Sequence, residues 1–139
     1  MRLKDRTAIV TGGGTGIGLA VAGAFVAEGA RVAIASRDTS RLTAVAADLD
    51  PEGERVMALH VDVTDRTTVA RGVEAVVGRW GPIQILVNNA GTSGITAVSD
   101  PDDRQDVLEE CDVAKRLERV VEEVAGVVLV LSRGKNPKV

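Results

Sequence analysis

The chain of 139 residues contains no tyrosine, and only one residue each of cysteine, histidine, phenylalanine and tryptophan. A single cysteine, Cys111, excludes a disulfide within the chain. With Phe25 and Trp80 as the only large aromatics, there are no platforms on which nucleic-acid bases could stack. A net charge of −3 with no block of basic residues supplies no footprint for a phosphate backbone. No apolar run reaches the roughly 20 residues of a membrane span. The opening Met1-Arg2-Leu3-Lys4-Asp5-Arg6 lacks the apolar segment of a secretory signal, so a cytoplasmic address is expected. His60 stands inside an apolar run, which predicts a packed imidazole and not a catalytic one. The acidic set Asp100, Asp102, Asp103, Asp106, Glu109 and Glu110 matches no ligand spacing and predicts a solvated helix start, with no metal site. What remains, 45% hydrophobic and 27% charged, is the composition of one globular domain with a sizeable core.

The chain is organised around residues 8–18, AIVTGGGTGIG. Ala8, Ile9 and Val10 suit a buried parallel strand. Gly12, Gly13 and Gly14 follow, where a tight turn needs backbone freedom. Gly16-Ile17-Gly18 then opens a helix running to about Glu28. A strand, a glycine turn and a helix N-terminus together make an anion site, because the N–H groups of the first turn lack partners and carry the positive end of the dipole. A diphosphate is the natural guest, although an ordinary strand-to-helix turn would look much the same. In that helix Ile17, Val21 and Ala24 form one stripe and Gly18, Ala22 and Phe25 another, while Ala20, Gly23 and Ala27 are small enough for close approach to a sheet.

Further strands are expected at Arg31–Ser36, 56–61, 83–87 and 127–131, the last ending at Ser132. Helices are expected to about Leu49 from a cap at Asp38 or Thr39, to about Gly78 from a cap at Thr64 or Asp65, and over 104–125. Residues 92–103 read as a polar loop and 133–139 as a tail. A continued helix is the rival for 127–131, but Gly126 is a natural stop and the run is apolar at every position. Alternating strands and helices predict one α/β domain over residues 1–139. It is a Rossmann-like, doubly wound parallel sheet in the order 3-2-1-4-5, with residues 1–91 as its ligand-binding half. Ligands in such sheets lie beyond the carboxyl ends of the strands, where Thr11, Ser36, Asp62 and Asn88 fall.

The spacing Thr11-Gly12-x-x-x-Gly16-x-Gly18, with Asn88-Asn89-Ala90-Gly91 ending a later apolar run, resembles the short-chain dehydrogenase/reductase family. The common dinucleotide fingerprint G-x-G-x-x-G fits no register of the loop. The resemblance covers residues 3–91 and implies a nicotinamide dinucleotide held by Gly12, Gly14, Thr15, Gly16, Ile17 and Gly18. Asp62-Val63 resembles the family's adenine contact; a turn or capping aspartate before Thr64 is the alternative. Asn88 would support the sheet, and Ala90 and Gly91 would let backbone approach the ribose. An arginine at the end of the second strand pairs with a 2′-phosphate, where an acidic side chain would accept from a free 2′-hydroxyl. Ser36-Arg37 therefore favours NADP over NAD, with Ser36 able to donate to the same phosphate and Arg41 a turn further on. A solvated arginine beside Asp38 is the plainer reading. Gln84 stands where relatives often have aspartate.

The family's hydride transfer uses a serine and a Tyr-x-x-x-Lys pair, and no tyrosine stands in these 139 residues. Cys111-Asp112-Val113-Ala114-Lys115 has the spacing but sits on the wrong helix, and Ser132 is most simply a strand-end serine. Asp112 falls where the family's helix carries a structural asparagine. The expected function is NADP(H) binding by a relative of oxidoreductases that is catalytically incompetent as this chain, with no catalytic residue assigned. The alternative is a non-catalytic cofactor-sensing or oligomerisation module. An uncovered edge on the last strand predicts a homo-oligomer.

Overall fold

The structure, a computed structural model, describes residues 1–89 and the backbone of 129–132. The elements run β1 (Thr7–Thr11), α1 (Gly16–Ala27), β2 (Arg31–Ser36), α2 (Thr39–Leu49), β3 (Val56–His60), α3 (Arg66–Trp80), β4 (Ile85–Asn88) and β5 (Leu129–Ser132). The strands form one parallel sheet in the order β3-β2-β1-β4-β5. The chain thus steps outward from β1 to β3, then returns past β1 to β4. That reversal opens a crevice beyond the carboxyl ends of the strands.

Successive residues of β1 serve two cores, because a strand alternates its side chains and both faces of this sheet are covered. Ala8 and Val10 join Val32, Ile34, Ile85 and Val87 beneath α1 and α2. Ile9 joins Ala33, Ala35, Leu59 and Leu86 against Val69, Val73 and Val76 of α3. Right-handed crossovers put α1 and α2 on one face and α3 on the other. Ile34, Leu86, Val10 and Val32 are fully buried, each contributing about 1.5–3 kcal/mol of transfer free energy. At the foot of the sheet, Gln84 ties the start of β4 to β1. Its side-chain oxygen accepts from the Thr7 N–H at 2.8 Å, while its own N–H donates to the Thr7 carbonyl at 3.0 Å.

Several expectations are corrected. α3 extends to Trp80, where Gly81 takes φ = 82° and ends it. β3 stops at His60, which is exposed at the end of an edge strand and not packed. β4 begins at Ile85, although Ile83 is buried in the core. In α1 only Gly18 and Ala22 are fully buried, while Ile17, Ala20, Ala24 and Ala27 face outward. A first turn without a side chain at Gly18 lies down onto the preceding loop, and this rotates the Gly18–Ala22 stripe inward. The strand 129–132 pairs in parallel with β4, so the continued helix is excluded there. The proposed loop 92–103, helix 104–125 and tail lie outside the described residues.

Candidate functional site

The loop between β1 and α1 is built from glycines that are required for different reasons. Gly12 and Gly16 adopt φ of 66° and 54°, in the left-handed region that a side chain disfavours. Gly13 has no room, since a Cβ would come 2.7 Å from Ile34 Cγ2. Gly18 has less, because a Cβ would strike the Gly12 carbonyl and lie 2.7 Å from Asn89 Nδ2. The first turn of α1 is therefore pressed against its own loop and against the end of β4. Gly12 is anchored in turn by its N–H, which donates to the Ala35 carbonyl at 2.8 Å.

The start of α1 differs from those of the other two described helices. Asp38 accepts from Arg41 N–H at the start of α2, and Asp65 from Thr67 N–H at the start of α3. Thr15 precedes α1 in extended geometry, makes no side-chain cap, and no acidic residue occupies the first turn. Among the described residues no side chain caps the N–H groups of that turn, the arrangement in which a helix start can receive an anion. Ile17 stands beside them, 55% exposed.

Thr11 and the two asparagines join this loop to β4. The Thr11 hydroxyl donates to the Val87 carbonyl at 3.3 Å and accepts from the Asn89 N–H at 3.0 Å. Asn88 is buried, in register with Ser132 of β5. Among the described residues two buried side-chain atoms find no hydrogen-bond partner, Asn88 Nδ2 and Asn89 Oδ1. A glycine cradle, an uncapped helix start and orphaned amide groups beside it fit a polar, anionic ligand such as a dinucleotide.

At the ends of β2 and β3, Ser36, Arg37 and Asp62 come together. Val61 N–H donates to the Ser36 carbonyl at 3.0 Å, and Ser36 Oγ accepts from Asp38 N–H at 3.2 Å. Arg37 is exposed and makes no ion pair among the described residues. Its expected neighbour Asp38 turns a carboxylate oxygen to the Arg41 N–H instead, at 3.2 Å. Asp62 is a turn residue as well as a site candidate. Its Oδ1 accepts from Thr64 Oγ1 at 2.6 Å and Thr64 N–H at 3.0 Å. These two bonds, outweighing a little desolvation and assisted by the charges of Arg37 and His60, hold its carboxyl below the ordinary value of 3.8. Thr68 fixes the backbone, accepting from Asp62 N–H at 3.1 Å and donating to the Asp62 carbonyl at 3.0 Å. Val63 follows, half-buried.

The fold thus gathers Gly12, Gly14, Thr15, Gly16, Ile17, Gly18, Ser36, Arg37, Asp62, Val63 and Asn88 at one edge of the sheet. Ala90 and Gly91, with Cys111, Asp112 and Lys115, lie outside the described residues. The supporting roles of Thr11, Thr64 and Thr68 were not read from the sequence. An Asp-x-Thr turn signal was the available clue for Thr64. Among the described residues no cluster of three metal-ligating side chains occurs, and no helix is long and apolar enough to cross a membrane.

A model of a family described as short chain dehydrogenase matches residues 6–129. The chain is 48% identical over 90 residues to a sorbitol dehydrogenase of Cereibacter sphaeroides, covering 65% of this chain and 34% of that one. It is 47% identical over 90 residues to a galactitol 2-dehydrogenase of Agrobacterium fabrum, with the same shares, 65% and 34%. Among solved structures, a short-chain dehydrogenase/reductase of Brucella melitensis superposes with a TM-score of 0.79 at 25% identity, covering 95% of this chain and 57% of that one. A short chain dehydrogenase of Burkholderia cenocepacia in complex with NADP gives a TM-score of 0.75 at 34% identity, covering 95% and 56%. The chain spans about a third of the length of these curated relatives.

Proposed function

Because this chain belongs to the short-chain dehydrogenase family, of which it carries the N-terminal cofactor-binding part, we propose that it binds NADP(H) in preference to NAD(H). The diphosphate lies on the uncapped start of α1, against Gly12, Gly14, Thr15, Gly16 and Gly18, with Ile17 beside the nicotinamide end. The adenine lies at Asp62-Val63, where the second carboxylate oxygen remains to accept from an exocyclic amine. The bound nicotinamide would supply hydride chemistry; the residues described here bind and orient it. The observation that carries the preference is Arg37, exposed and without an ion pair among the described residues at the end of β2, while Asp38 is committed to capping α2. A carboxylate so committed does not offer both oxygens to a ribose diol, whereas a free guanidinium suits a 2′-phosphate. The NADP complex of the Burkholderia cenocepacia relative agrees with this reading.

A charge-assisted contact of this kind is worth about 1.5–3 kcal/mol, or roughly tenfold and more in affinity. Titration calorimetry should therefore find NADPH bound at least about tenfold more tightly than NADH, and Arg37→Ala should remove most of that difference. Equal affinities in the unmodified protein would reject the preference. The absent tyrosine favours a second element of the reading: these 139 residues bind the cofactor without transferring hydride by the family's route, in keeping with a sensing or assembly module.

A further inference from the structure

We infer that the outer side of α1 is an interface for a second copy of this chain, paired antiparallel, and that a bound dinucleotide opposes the pairing. The opposition rests on the reading of the α1 start as a diphosphate site. Among the described helices only α1 has no polar or charged side chain from its first residue to its last. A helix apolar all round belongs in an interior. Here Gly18 and Ala22 are buried, while Ile17, Ala20, Ala24 and Ala27 are exposed. The helical period aligns Ile17, Val21, Ala24 and Glu28 in one row beside that exposed side. Ile17 is 55% exposed, and among the described residues only Met1 joins it as an exposed large hydrophobic residue. Next to the far end of the same row lies a groove of about 320 Å³, lined by Arg2, Leu3, Ala24, Phe25 and Glu28.

A knob and a groove at opposite ends of one helix make the surface complementary to itself. In an antiparallel pair each Ile17 enters the groove of the other copy, the self-matching contact of a two-fold dimer. Ala20 and Ala24 let the two backbones approach closely. Charge selects the same orientation. Glu28 caps the C-terminus of α1, with a carboxylate oxygen accepting from the Arg2 N–H at 2.8 Å. Antiparallel pairing sets that carboxylate beside the α1 start of the other copy, which holds no acidic residue and no side-chain cap. A negative charge is favourable there, and the two helix dipoles attract. A parallel pair would instead bring two uncapped positive ends together. One helix start cannot hold both a carboxylate and a diphosphate, so second copy and dinucleotide compete.

The test is cross-linking with a short bis-maleimide at tens of micromolar protein. Ala24→Cys and, on α3, Arg71→Cys are each combined with Cys111→Ser, so that the introduced thiol is the only one. Ala24→Cys should give a covalent dimer. Arg71→Cys, exposed on the other side of the sheet, should not. Saturating NADPH should raise the protein concentration needed for half cross-linking at least about fivefold, the low end of ordinary coupling between sites. Ala24→Arg in the otherwise unmodified chain should lower the mass seen in light scattering and leave NADPH bound at least as tightly. No dimer from Ala24→Cys, an equal yield from Arg71→Cys, or an unchanged mass in Ala24→Arg would overturn the interface. Cross-linking indifferent to NADPH, in protein that titration shows to bind it, would overturn the competition. Protein that cross-links through Ala24→Cys and binds no dinucleotide would overturn the cofactor reading and leave the interface standing.

Discussion

At the scale of single residues, the glycines at 16 and 18 are both needed and for unlike reasons. A side chain at Gly16 meets nothing within 4 Å, but the backbone sits at φ = 54°; Gly16→Ala costs the left-handed strain of about 1–2 kcal/mol. Gly18 has no such backbone constraint, and its Cβ would run into the Gly12 carbonyl and Asn89 Nδ2. Carbonyl and helix cannot both stay where they are. Gly18→Ala is expected to cost about 1–3 kcal/mol as overpacking and to abolish NADPH binding, because the displaced loop is the cradle itself. Thermal melts paired with NADPH titration check this. A Gly18→Ala protein with unchanged melting temperature and full affinity would mean that α1 does not rest on the loop.

At the scale of elements, polar side chains tie segment ends together where the strands stop. Thr11 does this at the carboxyl edge, joining β1 to the end of β4. Asp50 does it at the opposite edge, between α2 and β3, accepting from the N–H groups of Arg55 at 2.6 Å and Val56 at 3.0 Å. Burial raises the Asp50 pKa, but the N–H donors of Arg55, Val56, Gly53 and Glu54 together outweigh it and hold the carboxyl below its ordinary 3.8. The sign follows from linkage. The unfolded chain takes up the proton first, so this stability is complete above the ordinary value and is lost as pH falls through the lowered one. Asp50→Asn should therefore destabilise the protein at neutral pH, by about 1–2 kcal/mol for a charge-assisted bond at a half-buried site. The difference from the unmodified protein should shrink as pH drops below about 4. Trp80 is a natural reporter for urea titrations, since its neighbour Arg79 stacks on it at 5.0 Å and donates to the Gly53 carbonyl at 2.6 Å within the same turn. A pH-independent difference would contradict the assignment.

At the scale of the molecule, the chain carries a cofactor half without the tyrosine that its family uses as general acid. General acid catalysis contributes about 10²–10⁴-fold, so the purified 139-residue chain should show no NADPH-dependent turnover across a panel of carbonyls and alcohols. Among the described strands β5 is outermost, and an apolar edge of this kind pairs readily. Light scattering at tens of micromolar should accordingly find a dimer or larger species. Turnover that survives Cys111→Ser and Lys115→Ala would place an active site elsewhere, and a monomer would reject the association.

Topology was legible in the sequence because both of its determinants are local. Strands buried on two faces must be apolar throughout, as at Ile9, Val10 and 32–35, and glycine or proline marks where each helix stops. The loop at residues 11–18 and Asn88-Asn89 marked the candidate edge for the same reason: special backbone geometry restricts residue type. What tertiary structure decided are relations between segments distant in sequence. That His60 is exposed depends on β3 being the sheet's edge. That a side chain at Gly18 has no room depends on how closely α1 lies on the loop, which no helical period encodes. That Asp38 is spent on α2, leaving Arg37 without an ion pair among the described residues, depends on where a capping carboxylate turns. Periodicity reports which face of an element is apolar; only packing brings Arg41 against Gly14, twenty-seven residues earlier in the chain.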